Sequence, residues 1–90
     1  MEFQWNEEKA KANLAKHDVS FDEAKTIFDD PLYVDLHDPD HSQDESRHII
    51  IGLSRQGRLL VVSYTARNAI IRLISAREVT RGEREAYEEG

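Results

Sequence analysis

The stretch RHIIIGLSRQGRLLVVSYTARNAIIRLIS, residues 47–75, decides the fold. It is dense in Ile, Val, Leu and Tyr, side chains that suit a pleated, half-buried surface. Only the polar pairs Gln56-Gly57 and Arg67-Asn68 interrupt it, and each is short enough for a tight hairpin. The stretch therefore predicts three antiparallel strands, about Arg47–Ser54, Arg58–Ala66 and Ala69–Ser75.

On the N-terminal side, Glu2-Phe3-Gln4-Trp5 alternates polar and apolar residues, as a short strand does. Asn6 is a good helix N-cap, and Glu7 and Glu8 fall in the first turn, where the helix dipole favours acids. Ala10, Asn13, Leu14 and His17 recur on one face of this helix, and Asp18 suits a left-handed cap. Ser20-x-x-Glu23 reads as a capping box that opens a second helix. Phe21, Ala24, Ile27 and Phe28 form its buried stripe, and Asp29-Asp30-Pro31 stops it. Leu32–Leu36 suits another strand, and the polar run His37–Glu45 reads as an exposed loop. Past the hairpins, Thr80-x-x-Glu83 is a second capping box, opening a last helix through Tyr87. The order is β-α-α-β-β-β-β-α. It predicts an α+β fold: a mostly antiparallel sheet with two N-terminal helices on one face and a C-terminal helix. One sheet face is covered and the other is left for a ligand.

Charge is divided unevenly. Residues 1–46 carry four Lys against thirteen Asp and Glu, whereas residues 47–90 carry eight Arg against five Glu. The net charge of −6 thus conceals a basic half, which points to a charged partner. Because those cations are all arginines, planar forks that grip phosphate bidentately, a strand region studded with them is suited to RNA. The acidic half has two readings, solubility alone or a basic partner segment, and solubility needs no partner.

Ninety residues predict a single domain spanning 1–90, with a small core. Composition of 39% hydrophobic and 33% charged residues suits a soluble globule. No apolar run approaches the ~20 residues of a membrane helix, and the opening residues show no signal-peptide pattern. Zero cysteines exclude disulfides and thiolate metal sites. Together these place the expected location in the cytoplasm.

Several motifs give the chain a family resemblance. They are Phe3-x-Trp5-Asn6-Glu7-x-Lys9-Ala10, Asn13-x-x-Lys16-His17-x-Val19-x-Phe21-x-x-Ala24, Phe28-x-Asp30-Pro31 and Glu45-x-Arg47. Gly52, Gly57-Arg58, Val61 and Arg67 follow, then Ile74-Ser75-Ala76-Arg77 and Glu83-Arg84-x-x-Tyr87. In this order and spacing the chain resembles the BrnT family of toxins from bacterial type II toxin–antitoxin modules. Its departures are mild: Asn6 for a usual Asp, Asp18 for a usual Gly, and Val79 for a common Ala. The resemblance implies a RelE-like fold and RNA cleavage that needs no ribosome. It also implies a BrnA-like antitoxin with a ribbon-helix-helix DNA-binding part, so that DNA is met only through the toxin–antitoxin complex. It gives no reason to expect a cofactor, a metal or a membrane.

Metal-independent RNA cleavage needs activation of the 2′-hydroxyl, cations for the charge that develops on phosphorus, and a proton for the 5′-oxygen. The catalytic candidates are Lys16, His17, Glu45, Arg67 and Arg77, and the RNA-binding candidates are Arg47, Arg58 and Arg72. Glu83 and Tyr87 are secondary candidates, four residues apart on the last helix. Each has a bland counterpart. Arg77, read as following the last strand, suits a salt bridge to Glu83 or Glu78, and Arg67 suits an exposed turn. Arg58 suits a strand-entry charge. Lys16 and His17 suit the negative end of a helix dipole, and His17 also suits a core histidine. Glu45 suits an orienting partner for Arg47. Two rival functions remain: a non-catalytic RNA- or antitoxin-binding domain, and a metal-dependent hydrolase built on His37-Asp38-x-x-His41-x-x-Asp44. Such a loop presets no ligand geometry, which favours the solvated reading.

Overall fold

The computed structural model describes residues 1–36 and 47–90. The elements are β1 (Glu2–Gln4), α1 (Glu7–His17), α2 (Phe21–Ala24), a 3₁₀ turn (Lys25–Asp29), β2 (Val34–Leu36), β3 (Arg47–Leu53), β4 (Leu59–Arg67), β5 (Ile70–Glu78) and α3 (Arg81–Glu89). One five-stranded sheet runs in the order β1-β5-β4-β3-β2, antiparallel except for the parallel pair β1–β5. This is the expected α+β order, with differences at element ends. The second helix gives way to the 3₁₀ turn after four residues, yet Phe21, Ala24 and Ile27 are still buried. The last strand reaches Glu78 rather than Ser75, so Arg77 lies within it. The second hairpin turns at Asn68-Ala69, both with positive φ, and Arg67 closes β4. The first turns through Gly57 at φ 87, a left-handed position at little cost to glycine.

Side chains alternate across the sheet. Ile50, Leu60, Val62, Ile71, Leu73 and Ala76 face the helices and form the core with Val19, Phe21, Ala24 and Ile27. Buried positions on β5 step by two from Ile71 to Leu73 and then by three to Ala76. The extra residue is Ile74: Ser63 pairs with Ser75 and Tyr64 with Leu73, leaving a β-bulge between them. Strict alternation would put Arg72 and Arg77 on opposite faces. The bulge puts both on the face away from α1 and α2.

Local chemistry explains the helices. Asn6 accepts the Lys9 N–H at 3.1 Å, and Asp18 caps α1 in the left-handed conformation at φ 57. Leu14, expected on the inward face, is 48% exposed. The inward polar residue is Asn13. Its amide donates to the Ala76 carbonyl at 2.8 Å and to the Val19 carbonyl at 2.9 Å, and its oxygen accepts the Ala76 N–H at 3.1 Å. β1 ends its pairing at Arg72, so beyond that point Asn13 stands in for a neighbouring strand along the β5 edge. Ser20 caps α2 by accepting the Glu23 N–H, but Glu23 does not return the bond, so only half the capping box forms. At Thr80 and Glu83 both halves form.

Replacing Asn13 with Ala strands buried N–H and C=O groups on Ala76 and a C=O on Val19, at about 1–3 kcal/mol per buried group left without a partner. The expected result is a fall in Tm of roughly 10 °C or more, measured by thermal circular dichroism.

Candidate functional site

The sheet face away from α1 and α2 is divided. At one end Ile51, Leu59 and Val61 are buried. There α3 crosses, its Glu83 reaching Arg77 and its following Gly90 lying against Val34. The rest of the face is mostly polar, with Ile49 and Ile70 as apolar members and Glu2 beside Ile70. Register places Arg47, Thr65, Arg72 and Gln4 in one row across β3, β4, β5 and β1, with Ser63 and Ser75 in the next paired row on β4 and β5. Arg67 lies beyond Thr65 on β4. Four of the eight arginines, Arg47, Arg67, Arg72 and Arg77, thus share one face.

Their surroundings differ. Arg77 donates from both terminal nitrogens to the Glu83 carboxylate, at 2.8 and 2.9 Å, and from Nη1 to the Glu78 carbonyl at 3.2 Å. Its Nε–H and one remaining Nη2–H are left for another acceptor. The Arg77 bonds hold the Glu83 carboxyl at about 2, against the opposing effect of burial and with help from the Thr80 backbone. Arg67 and Arg72 are exposed and form no ion pair with any described residue. They border a cavity of about 360 Å³ with Gln4, Thr65, Asn68 and Ile70. Arg47 is half-buried, and its Nε is buried without a hydrogen-bond acceptor among the described residues.

Arg58 lies on the opposite, helix-facing side. Its Nε donates to Glu23 Oε2 at 3.0 Å and its Nη2 to Glu23 Oε1 and, at 2.9 Å, to the Asp18 carbonyl. Its Nη1 is 3.5 Å from Glu78 Oε2. Ser54 Oγ also donates to Glu23 Oε2, at 2.7 Å. Hydrogen bonds from Arg58 hold the buried Glu23 carboxyl below its ordinary range despite desolvation. Arg58 thus joins α1, α2 and β5 instead of standing as a bare charge at a strand entrance.

Lys16 is exposed and His17 half-buried in the last turn of α1. His17 shares the Asn13 face one turn on, and Asp18 is tied through Arg58 to Glu78. Lys16 and His17 therefore lie along the edge of β5 near its Arg77 end. Arg67 is some 20 Å from that end, six residues along β4 at ~3.3 Å each. The candidates thus do not gather at one point: Lys16 and His17 lie on α1, Arg77 lies at the same end of β5 but on the opposite sheet face, and Arg67 lies with Arg72 at the far end. Glu45 and the His37–Asp44 cluster lie outside the described residues.

Tyr87 leaves the Glu83 region and donates to Asp30 Oδ2 at 2.7 Å, a bond that, with burial, pushes its hydroxyl up to about 12. Burial works to raise the Asp30 carboxyl, but the Leu53 N–H, the Tyr87 hydroxyl and the Leu32 N–H outweigh it and lower it. From the sequence Asp30 reads as a helix stop and a motif residue, and Glu23 as a cap. The signal for Glu23 was present: it shares the inward face with Ala24 and Ile27, where an acid needs a cation. Gln4, Asn68 and Ile70 carried no comparable signal, because only register brings them together.

Among the described residues no helix is long and apolar enough to cross a membrane. A family model described as the ribonuclease toxin BrnT of type II toxin–antitoxin systems matches residues 5–83. The chain belongs to this family of ribonuclease toxins. The crystal structure of the Brucella abortus ribonuclease toxin BrnT is similar in fold, with a TM-score of 0.69 at 19% identity over 90% of this chain and 99% of that one. Comparison with curated proteins finds no match.

The Arg77–Glu83 pair predicts an acid limit to stability. The Glu83 carboxyl is lowered on folding, so its contribution is fully present above pH ~4.5 and lost as pH falls toward 2. With Arg77 partly exposed, that contribution is discounted to about 1–2 kcal/mol. Urea unfolding of Glu83→Gln should show lower stability than the wild type at pH 7 and a difference that narrows below pH 4. An equal deficit at both pH values would contradict this assignment.

Proposed function

We propose that the chain is a RelE-like endoribonuclease that cleaves single-stranded RNA across the open sheet face, in the cytoplasm, without a ribosome or a metal ion. The observation that carries this reading is the gathering of Arg47, Arg67, Arg72 and Arg77 on one face of a ribonuclease-toxin fold. In the proposed reaction the 2′-oxygen attacks phosphorus as its proton leaves to a base. The bond to the 5′-oxygen breaks as an acid protonates it, giving a 2′,3′-cyclic phosphate and a 5′-hydroxyl. Arg77, held in place by Glu83, directs its remaining N–H groups at the non-bridging oxygens, where charge develops. His17 serves as base or acid, the side chain that most often does this work in catalysis. Lys16 serves as a phosphate ligand or the partnering acid. Glu45 is kept as a further acid/base candidate. Arg47, Arg67 and Arg72 bind the flanking RNA, while Arg58, engaged by Glu23, supports the fold.

The partner in this reading is a BrnA-like antitoxin with a ribbon-helix-helix DNA-binding part. It neutralises the toxin by denying RNA the arginine face, and the complex meets operator DNA through the antitoxin. A second reading, a non-catalytic RNA- or antitoxin-binding domain, draws on the Glu83 carboxylate already filling two donors of Arg77.

Purified protein with mixed-sequence RNA, no ribosomes and excess EDTA separates these readings. The expected result is cleavage to cyclic-phosphate ends, reduced about 10²–10³-fold in Arg77→Ala and about 10²-fold in His17→Ala, at unchanged folded content. Folded wild type that binds RNA without cleaving it would establish the second reading. Activity abolished by EDTA would contradict the metal-free mechanism.

A further inference from the structure

The cavity bordered by Gln4, Thr65, Arg67, Asn68, Ile70 and Arg72 is separate from the Arg77 end. Arg72 and Arg77 are five residues apart on β5, about 15 Å along the strand. Three features define what the cavity suits. Its two guanidiniums are diagonal neighbours on one face, and among the described residues none that lines the cavity is Asp or Glu; Glu2, set beside Ile70 on the same face, makes no ion pair with a described residue. Gln4 and Asn68 each offer an amide donor and an acceptor, the groups that read a base edge. Ile70 and the Thr65 methyl add apolar surface for a ring. A volume of about 360 Å³ is at the small end of the ligand-pocket range.

We infer that this cavity is a subsite for one nucleotide of single-stranded RNA, flanking the cleaved position. Arg67 and Arg72 hold its phosphate or stack on its base, and the Gln4 and Asn68 amides meet the base edge. An inorganic anion would use the arginines alone. A double helix would not fit a recess of this size at the sheet edge. The inference deepens the ribonuclease reading and rests on it for the identity of the polymer. Binding and cleavage are nevertheless separate measurements.

The test uses a fluorescent hexanucleotide of mixed sequence with 2′-fluoro sugars. It lacks the attacking hydroxyl and is not cleaved by this route. Anisotropy titrations at several salt concentrations compare wild type with Arg72→Ala, Gln4→Ala and, as a charge control on the β3–β4 turn, Arg55→Ala. Arg72→Ala should weaken binding about tenfold and make the slope of log K against log salt shallower by about 0.7, the value for one phosphate contact on a single strand. Gln4→Ala should weaken binding severalfold with the slope unchanged, because an amide releases no counterion. Arg55→Ala should resemble wild type. Equal effects of Arg72→Ala and Arg55→Ala would overturn the subsite, as would unaltered binding in both Arg72→Ala and Gln4→Ala, or no binding by folded wild type. Binding with these signatures but no cleavage of ordinary RNA would leave the subsite standing and remove the ribonuclease reading. Cleavage without them would do the reverse.

Discussion

One extra residue in β5 governs where the charge of this protein points. A strand presents alternate residues to alternate faces, so Arg72 and Arg77, five apart, would otherwise be divided by the sheet. The bulge at Ile74 changes the phase once. On the helix side the change appears as buried Leu73 followed by buried Ala76. On the other side it aligns Arg72 with Arg77. Bulges commonly re-aim side chains near functional sites, and here one unpaired residue serves both the core and the arginine face.

Carboxylates then sort the arginines. Glu23, a buried residue of α2, binds Arg58 and fixes α1 and α2 to the hairpins. Glu83, already committed to the cap of α3, binds Arg77 and fixes that helix to the sheet. Removing Arg58 leaves the buried Glu23 carboxylate without its cation, which costs more than the pair itself contributes. Arg67 and Arg72 face a cavity whose lining, among the described residues, holds no acid. The same residue type therefore has two roles on one chain, and the position of nearby acids decides which.

Much of the fold was legible from the sequence. β-branched runs punctuated by Gln56-Gly57 and Arg67-Asn68 gave the hairpins, and Asn6, Ser20 and Thr80 marked helix starts through their capping chemistry. The misplacements were local. Strand β5 continues through Ala76, Arg77 and Glu78 because β4 goes on pairing with it there, while Asn13, 63 residues from Ala76, satisfies the edge that β1 leaves. No local pattern reveals a partner that distant. The site was less legible for the same reason. Arginine content pointed to a charged polymer, but which arginines share a face depends on a bulge. Which are engaged depends on Glu23, whose role as a cap hid its second contact, and on Glu83, whose bridge to Arg77 the sequence did suggest.

The central claim is that RNA meets the arginines of the open face and not those of the helix layer. The side-chain Nε–Hε signals of the eight arginines, followed by NMR as a non-cleavable oligonucleotide is added, report this directly. The account predicts shifts or broadening for Arg67 and Arg72, and for Arg77 as RNA extends to the α3 end, with Arg58 and Arg55 unmoved. Perturbation centred on Arg55 and Arg58, with Arg67 and Arg72 unchanged at saturation, would contradict it.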